Sequence, residues 1–156
     1  MKPTKRNSRI TRLEADPEEW FKYYFKKFAS AEPAPFHISA TKRVINNPEH
    51  YEVRMWSREL AKSTRTMMEV LYLTLVGLLL PDKSRLRKRY TILISNNESN
   101  AIRLLMPYRA QLEFNQAIIH DYGDQVKIGA WEAGEFTTRK GAAFRALGAG
   151  QSPRGA

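Results

Sequence analysis

The chain has no cysteine among its 156 residues. Disulfides and thiolate metal sites are thereby excluded, and a reducing compartment is compatible with the sequence. It also lacks an apolar run long enough to cross a bilayer. The longest, Met67 to Leu80, falls short of the roughly 20 residues a spanning helix needs, carries Glu69 and ends at Pro81. No signal peptide is expected, because Met1 to Arg12 is basic and polar with no apolar stretch behind it. Neither a fixed-period repeat nor a low-complexity tract is present. His50 and His120 have no partners at metal-ligand spacing, so no transition-metal centre is expected. Acidic residues are few beside basic ones: 26 Lys and Arg against 16 Asp and Glu leave a formal net charge of +10. Such a surplus favours polyanions such as nucleic acid, nucleotides or anionic lipid, with a basic face that only keeps a domain soluble as the alternative.

What is present reads as one α/β domain behind a basic arm. Met1 to Ala15 carries Lys2, Lys5, Arg6, Arg9 and Arg12 in a polar run and is expected to be a loose, flexible arm. Asp16-Pro17-Glu18-Glu19 predicts a helix start: Asp16 caps, Pro17 suits the first helical position, and the acids favour the positive end of the dipole. That helix is expected to run to about Ser30 with Trp20, Tyr24 and Phe28 on one face. Phe36 to Asn47 predicts a second helix, stopped by Asn46-Asn47-Pro48. Tyr51 to Trp56 alternates and is rich in strand formers, which predicts a strand.

A loop, Ser57 to Ala61, and a long apolar helix from Lys62 to Leu80 follow. Lys83 to Arg89 is a basic turn. Tyr90 to Ser95, with Ile92, Leu93 and Ile94 in succession, predicts a strand buried on both faces. Asn96 to His120 is helical in pattern, with Ile102, Leu105, Leu112 and Ile119 inward and Pro107 kinking or dividing it. Val126 to Trp131 predicts a strand, Phe136 to Gly148 a hairpin or a strand with flanking turns, and the tail a loop. The alternation of strands and helices predicts a mostly parallel sheet with helices on both faces.

The stretch that carries chemistry is Trp56-Ser57-Arg58-Glu59-Leu60-Ala61-Lys62-Ser63-Thr64. It lies between a predicted strand and a predicted helix, where exposed N–H groups of a helix start face an anion. A lysine followed by Ser or Thr is the chemical minimum of a phosphate loop: the ammonium reaches the outer phosphates and the hydroxyl takes one place on magnesium. The pattern G-x-x-x-x-G-K-[ST] is not met, since Trp56 and Ala61 stand where its glycines would be. On the residues alone, Lys62-Ser63 points first to the plain start of a helix.

Ser57 to Thr64 resembles the deviant Walker A of phage large terminases, the DNA-packaging motor ATPases, whose loop reads S-R-Q-L-G-K-T-T or similar. Tyr90 to Ser95 with Asn97 to Ala101, and Gly141 to Gly148 with Ser152-Pro153-Arg154-Gly155, resemble the terminase strands and Arg-Gly loop on either side of the intervening helix. The similarity runs from about Phe36 to the last residue. It implies a P-loop ATPase domain over 16–156 that binds ATP and Mg2+ through Ser57, Arg58, Glu59, Leu60, Ala61, Lys62, Ser63 and Thr64. Lys62 would neutralise phosphate charge, Ser63 would ligate magnesium, and Arg58 falls on the family's arginine, which can act as an arginine finger in cis. Phe36 and His37 lie where adenine stacks. Ala61 departs from the family's glycine.

The resemblance further implies ATP-driven packaging of double-stranded DNA into a procapsid, a small terminase subunit and portal as partners, a homo-oligomeric ring, no membrane, and the host cytoplasm as location. Walker B and the nuclease acids are expected beyond Ala156, so the domain is read as incomplete and poorly active alone. Ala117-Ile118-Ile119-His120-Asp121 is rejected as Walker B because its neighbours follow a helical pattern. Two other readings stay open: another P-loop, helicase-like ATPase acting on nucleic acid, or a basic nucleic-acid-binding module without a nucleotide site.

Overall fold

A computed structural model describes residues 5–151, with Lys5 described by its backbone alone. The chain is α/β and divides into two compact units, residues 1–87 and 88–156.

The first unit contains α1 (Lys5–Ala15), α2 (Pro17–Tyr24), α3 (Pro35–Ile45), α4 (Lys62–Leu75) and a short antiparallel ribbon of β1 (Leu78–Leu79) and β2 (Arg85–Leu86). The described part of the basic arm is therefore helix rather than loose chain. Leu13 is buried, and the Glu14 carbonyl near the end of α1 accepts hydrogen bonds from the Tyr72 hydroxyl at 2.7 Å and from Arg85 at 3.1 Å. Those bonds satisfy a helix-end carbonyl that would otherwise fall to water. Met1 to Thr4 lie outside the described residues.

α2 begins as its sequence predicts: the Asp16 carboxylate accepts from the Glu18 and Glu19 N–H groups at 3.0 and 3.4 Å. It ends at Tyr24, several residues earlier than expected, with the Phe25 N–H bonded to the Phe21 carbonyl. Phe25 consequently enters the core with Trp20, Phe21 and Tyr24, and Phe28 is left exposed.

α4 stops at Leu75 rather than Leu80. Gly77, at φ 90°, donates its N–H to the Tyr72 carbonyl and turns the chain into the ribbon. A Cβ there would sit 2.7 Å from the Leu86 carbonyl oxygen, so the turn requires glycine. The α4 core residues Met67, Met68, Leu71, Tyr72 and Leu75 follow helical spacing, and Trp20 meets Tyr72 edge-on at 5.2 Å.

The second unit holds β3 (Tyr90–Ser95), α5 (Glu98–Phe114), α6 (Gln116–Tyr122), β4 (Val126–Trp131), β5 (Glu135–Thr138) and β6 (Ala143–Gly148). Its strand order is β3-β6-β5-β4, and only β3 and β6 run parallel. The expected mostly parallel sheet is thus a mixed one. α5 packs on β3 and β6, over the face that carries Phe144 and Ala146. Phe144 stacks on Phe136 of β5 at 4.8 Å.

β3 is a sheet edge, and Tyr90 and Ile94 are exposed, so it is not buried on both faces. Pro107 sits inside α5 on its exposed side without dividing it. The division falls at Asn115, which ends α5 and caps α6 by accepting from the Ala117 and Ile118 N–H groups. That break shifts the helical frame and buries Ile118 where Ile119 is expected.

Candidate functional site

Residues Ser57 to Thr64 form one continuous feature at the start of α4. Ser57, Arg58, Glu59 and Leu60 make an exposed turn, Ala61 is the helix N-cap, and Lys62, Ser63 and Thr64 are the first turn of the helix. Tyr51 to Trp56, predicted as the strand leading in, forms no strand and pairs with none among the described residues. This corrects the expectation of a strand–loop–helix unit. The physical reason lies in its side chains. Glu52, Arg54 and Trp56 turn inward, while Tyr51, Val53 and Met55 are 88%, 67% and 90% exposed. The segment is held by polar side chains instead of by a backbone ladder.

Those anchors form a network. Glu52 bonds His50 at 2.8 Å, Arg54 at 2.7 Å and Arg43 at 3.1 Å. Arg54 continues to the buried Glu69 of α4 at 2.8 Å and stacks over the Trp56 ring at 5.1 Å. Glu69 also accepts from the Thr41 hydroxyl at 2.6 Å, and Arg65 reaches both Thr41 and Glu18. Burial pushes the Glu52 carboxyl up, but the hydrogen bonds from His50, Arg54 and Arg43 outweigh it and hold the group at about 2. Glu69 is shifted the other way: burial pushes its carboxyl above the usual range against the pull of Thr41 and Arg54. The sequence flags Glu69 only as a charge in an apolar helix, and nothing local reveals its partners.

The turn itself is fixed by a histidine. The His37 Nδ1 accepts from the Ala34 N–H at 3.1 Å, so Nε2 carries the proton of the neutral ring and donates to the Leu60 carbonyl at 3.0 Å. Phe36 and His37 both lie 5.1 Å from the Trp56 ring. The two residues singled out for adenine stacking are therefore brought beside Trp56, which immediately precedes the loop.

The backbone supplies the rest. Glu59 and Ala61 are left-handed, at φ 67° and 54°, three and one residues ahead of Lys62. A left-handed residue directly ahead of a right-handed one, as Ala61 is of Lys62, turns successive N–H groups toward one concavity, an arrangement that binds anions. Ala61 has no side chain to cap the helix, and the first intrahelical bond is that of the Arg65 N–H to the Ala61 carbonyl at 2.7 Å. The N–H groups of the first turn thus point out at the positive end of the α4 dipole. The Lys62 ammonium folds back to the Trp56 carbonyl at 3.2 Å. Arg58 and Ser63 are exposed.

The Ser63 hydroxyl could supply one oxygen to a magnesium ion, which keeps several waters and needs few protein ligands when it arrives on phosphates. Among the described residues, no group of His, Asp and Glu is placed to hold a metal by itself. Ala117 to Asp121 lies in α6, in keeping with its rejection as Walker B. A concavity of about 450 Å³ in the other unit is lined by Glu98, Glu132 and Glu135 with Arg145, and its carboxylates oppose a triphosphate. Ser152 to Gly155, the Arg-Gly loop of the resemblance, lies outside the described residues. No helix among the described residues is long and apolar enough to cross a membrane. No protein-family model, curated protein or solved structure matches the chain.

Proposed function

We propose that this chain is the nucleotide-binding front part of a DNA-packaging ATPase of the large-terminase kind, with Ser57 to Thr64 as its phosphate loop. The observation that carries the reading is the backbone of a loop with no glycine. Glu59 and Ala61 both take up the conformation that glycine favours, immediately ahead of a lysine at a helix start. A plain helix start has no need of it, since a left-handed alanine costs about 1–2 kcal/mol. An anion cradle does need it, because it turns the N–H groups inward.

In this reading Lys62 leaves the Trp56 carbonyl and neutralises the outer phosphates, Ser63 takes one magnesium position, and Arg58 reaches the terminal phosphate. Phe36, beside Trp56, offers the adenine an aromatic face. The P-loop NTPase fold, the ring of copies, the procapsid and the double-stranded DNA belong to the same proposal.

One observation favours a second reading, a basic nucleic-acid-binding module with no nucleotide site: Tyr51 to Trp56 joins neither described sheet ahead of the loop. Thermal-shift titrations separate the two. Stabilisation by Mg-ATP that disappears in Lys62→Ala supports the ATPase. No response to ATP, with DNA binding that weakens steeply as salt rises, supports the module.

A further inference from the structure

We propose that two copies of this chain pair antiparallel through the open edge of β3, about a two-fold axis at Ile92. β6 bonds to β3 at Arg89 and Ser95, whose carbonyls accept from the Ala143 and Ala149 N–H groups at 2.8 Å each. Backbone groups in a strand alternate in direction, so the odd-numbered positions face β6. Tyr90, Ile92 and Ile94 turn theirs to the other side, where no described strand lies.

An open edge is a template for pairing, and proteins blunt it with charge, proline or a bulge. The opposite edge of this sheet is blunted: β4 carries Lys127, Gly129 at φ 82° and a register irregularity. β3 has none of these over Tyr90 to Ser95. Its three outward-facing residues are uncharged, and Tyr90 and Ile94 are 44% and 65% exposed.

The occupant follows from self-complementarity. An antiparallel pairing centred on Ile92 sets Ile92 opposite its own copy and each Tyr90 opposite the other chain's Ile94. All of these are positions whose backbone groups face the open edge, so each pair exchanges both N–H···O bonds. Aromatic and β-branched residues directly opposite one another are a favourable cross-strand pair, and the two-fold axis makes it twice. Shifting the register by one residue would oppose positions whose N–H and C=O are already committed to β6. The inference stands apart from the nucleotide reading, because it uses only the second unit.

Sedimentation equilibrium across a concentration series tests it. The wild-type chain should dimerise, Ile94→Lys should be monomeric with an unchanged circular dichroism spectrum, and Ile128→Lys on the opposite edge should still dimerise. Because the chain has no cysteine, Ile92→Cys provides an independent readout. Directly opposed residues in such a pair lie about 5.5 Å apart at Cα, within disulfide reach. Ile92→Cys should therefore oxidise to a covalent dimer, whereas Ile128→Cys should not. A wild-type chain that is monomeric throughout, or a dimer that survives Ile94→Lys, would overturn the proposal.

Discussion

The Lys62 ammonium donates a hydrogen bond to the Trp56 carbonyl across 3.2 Å, from the first residue of α4 to the residue that immediately precedes the loop. The lysine thereby closes the turn Ser57 to Ala61 into a ring of backbone with its own positive charge on the rim. An arriving phosphate would exchange one neutral acceptor for several charged ones, which is a gain for an ammonium with three donors.

The left-handed residues yield the first prediction. Ala61→Gly should raise stability by roughly 1 kcal/mol, because relief of the left-handed backbone exceeds the extra entropy that glycine loses on folding. Nucleotide affinity should hold or improve. Thermal melting checks this, and a lower melting temperature for Ala61→Gly would mean that the turn is not left-handed at that residue.

Glu52 gives a pH dependence. Its carboxyl is held at about 2, below the ordinary 4.5, by His50, Arg54 and Arg43. The stability it contributes is fully present above about 4.5 and is lost as pH falls toward 2. Glu69, raised by burial, works in the opposite sense, since protonating it favours the folded chain. Glu52→Gln should melt below the wild type at neutral pH, by roughly 1–3 kcal/mol, and the gap should shrink as the pH falls from 4.5 to 2. A gap that stays constant over that range contradicts the assignment.

Gly77 provides a test of the first unit that does not involve the loop. Gly77→Ala should cost about 2 kcal/mol or more, because a left-handed alanine is strained and its Cβ meets the Leu86 carbonyl oxygen. Urea unfolding followed by circular dichroism measures it. An unchanged midpoint would show that the turn relaxes without loss.

Local signals in the sequence located the elements they govern. Asp16 and Pro17 mark the start of α2, Val126 to Trp131 and Tyr90 to Ser95 are strands at their expected bounds, and the Phe136 to Gly148 hairpin is present. What failed depends on partners distant in the chain. Tyr51 to Trp56 alternates like a strand, but its inward residues are Glu52 and Arg54, and their partners Arg43 and Glu69 are invisible to a local pattern. The run Ile92 to Ile94 reads as central, yet its place at an edge is set by which strand lies beside it.

Pro107, a residue that kinks or divides helices, lies on the exposed side of α5 without dividing it, and Asn115 makes the break instead. The candidate site was legible as a stretch of residues. Its backbone conformation was not, because neither Glu59 nor Ala61 advertises a left-handed turn.

Calorimetric titration of Mg-ATP into the chain and into Lys62→Ala tests the central claim most directly. The account predicts binding by the wild type and its loss in Lys62→Ala, with both proteins giving the same circular dichroism and melting curve, since Lys62 is exposed at the helix start. Equal affinity in the two proteins, or no binding by either, would contradict it.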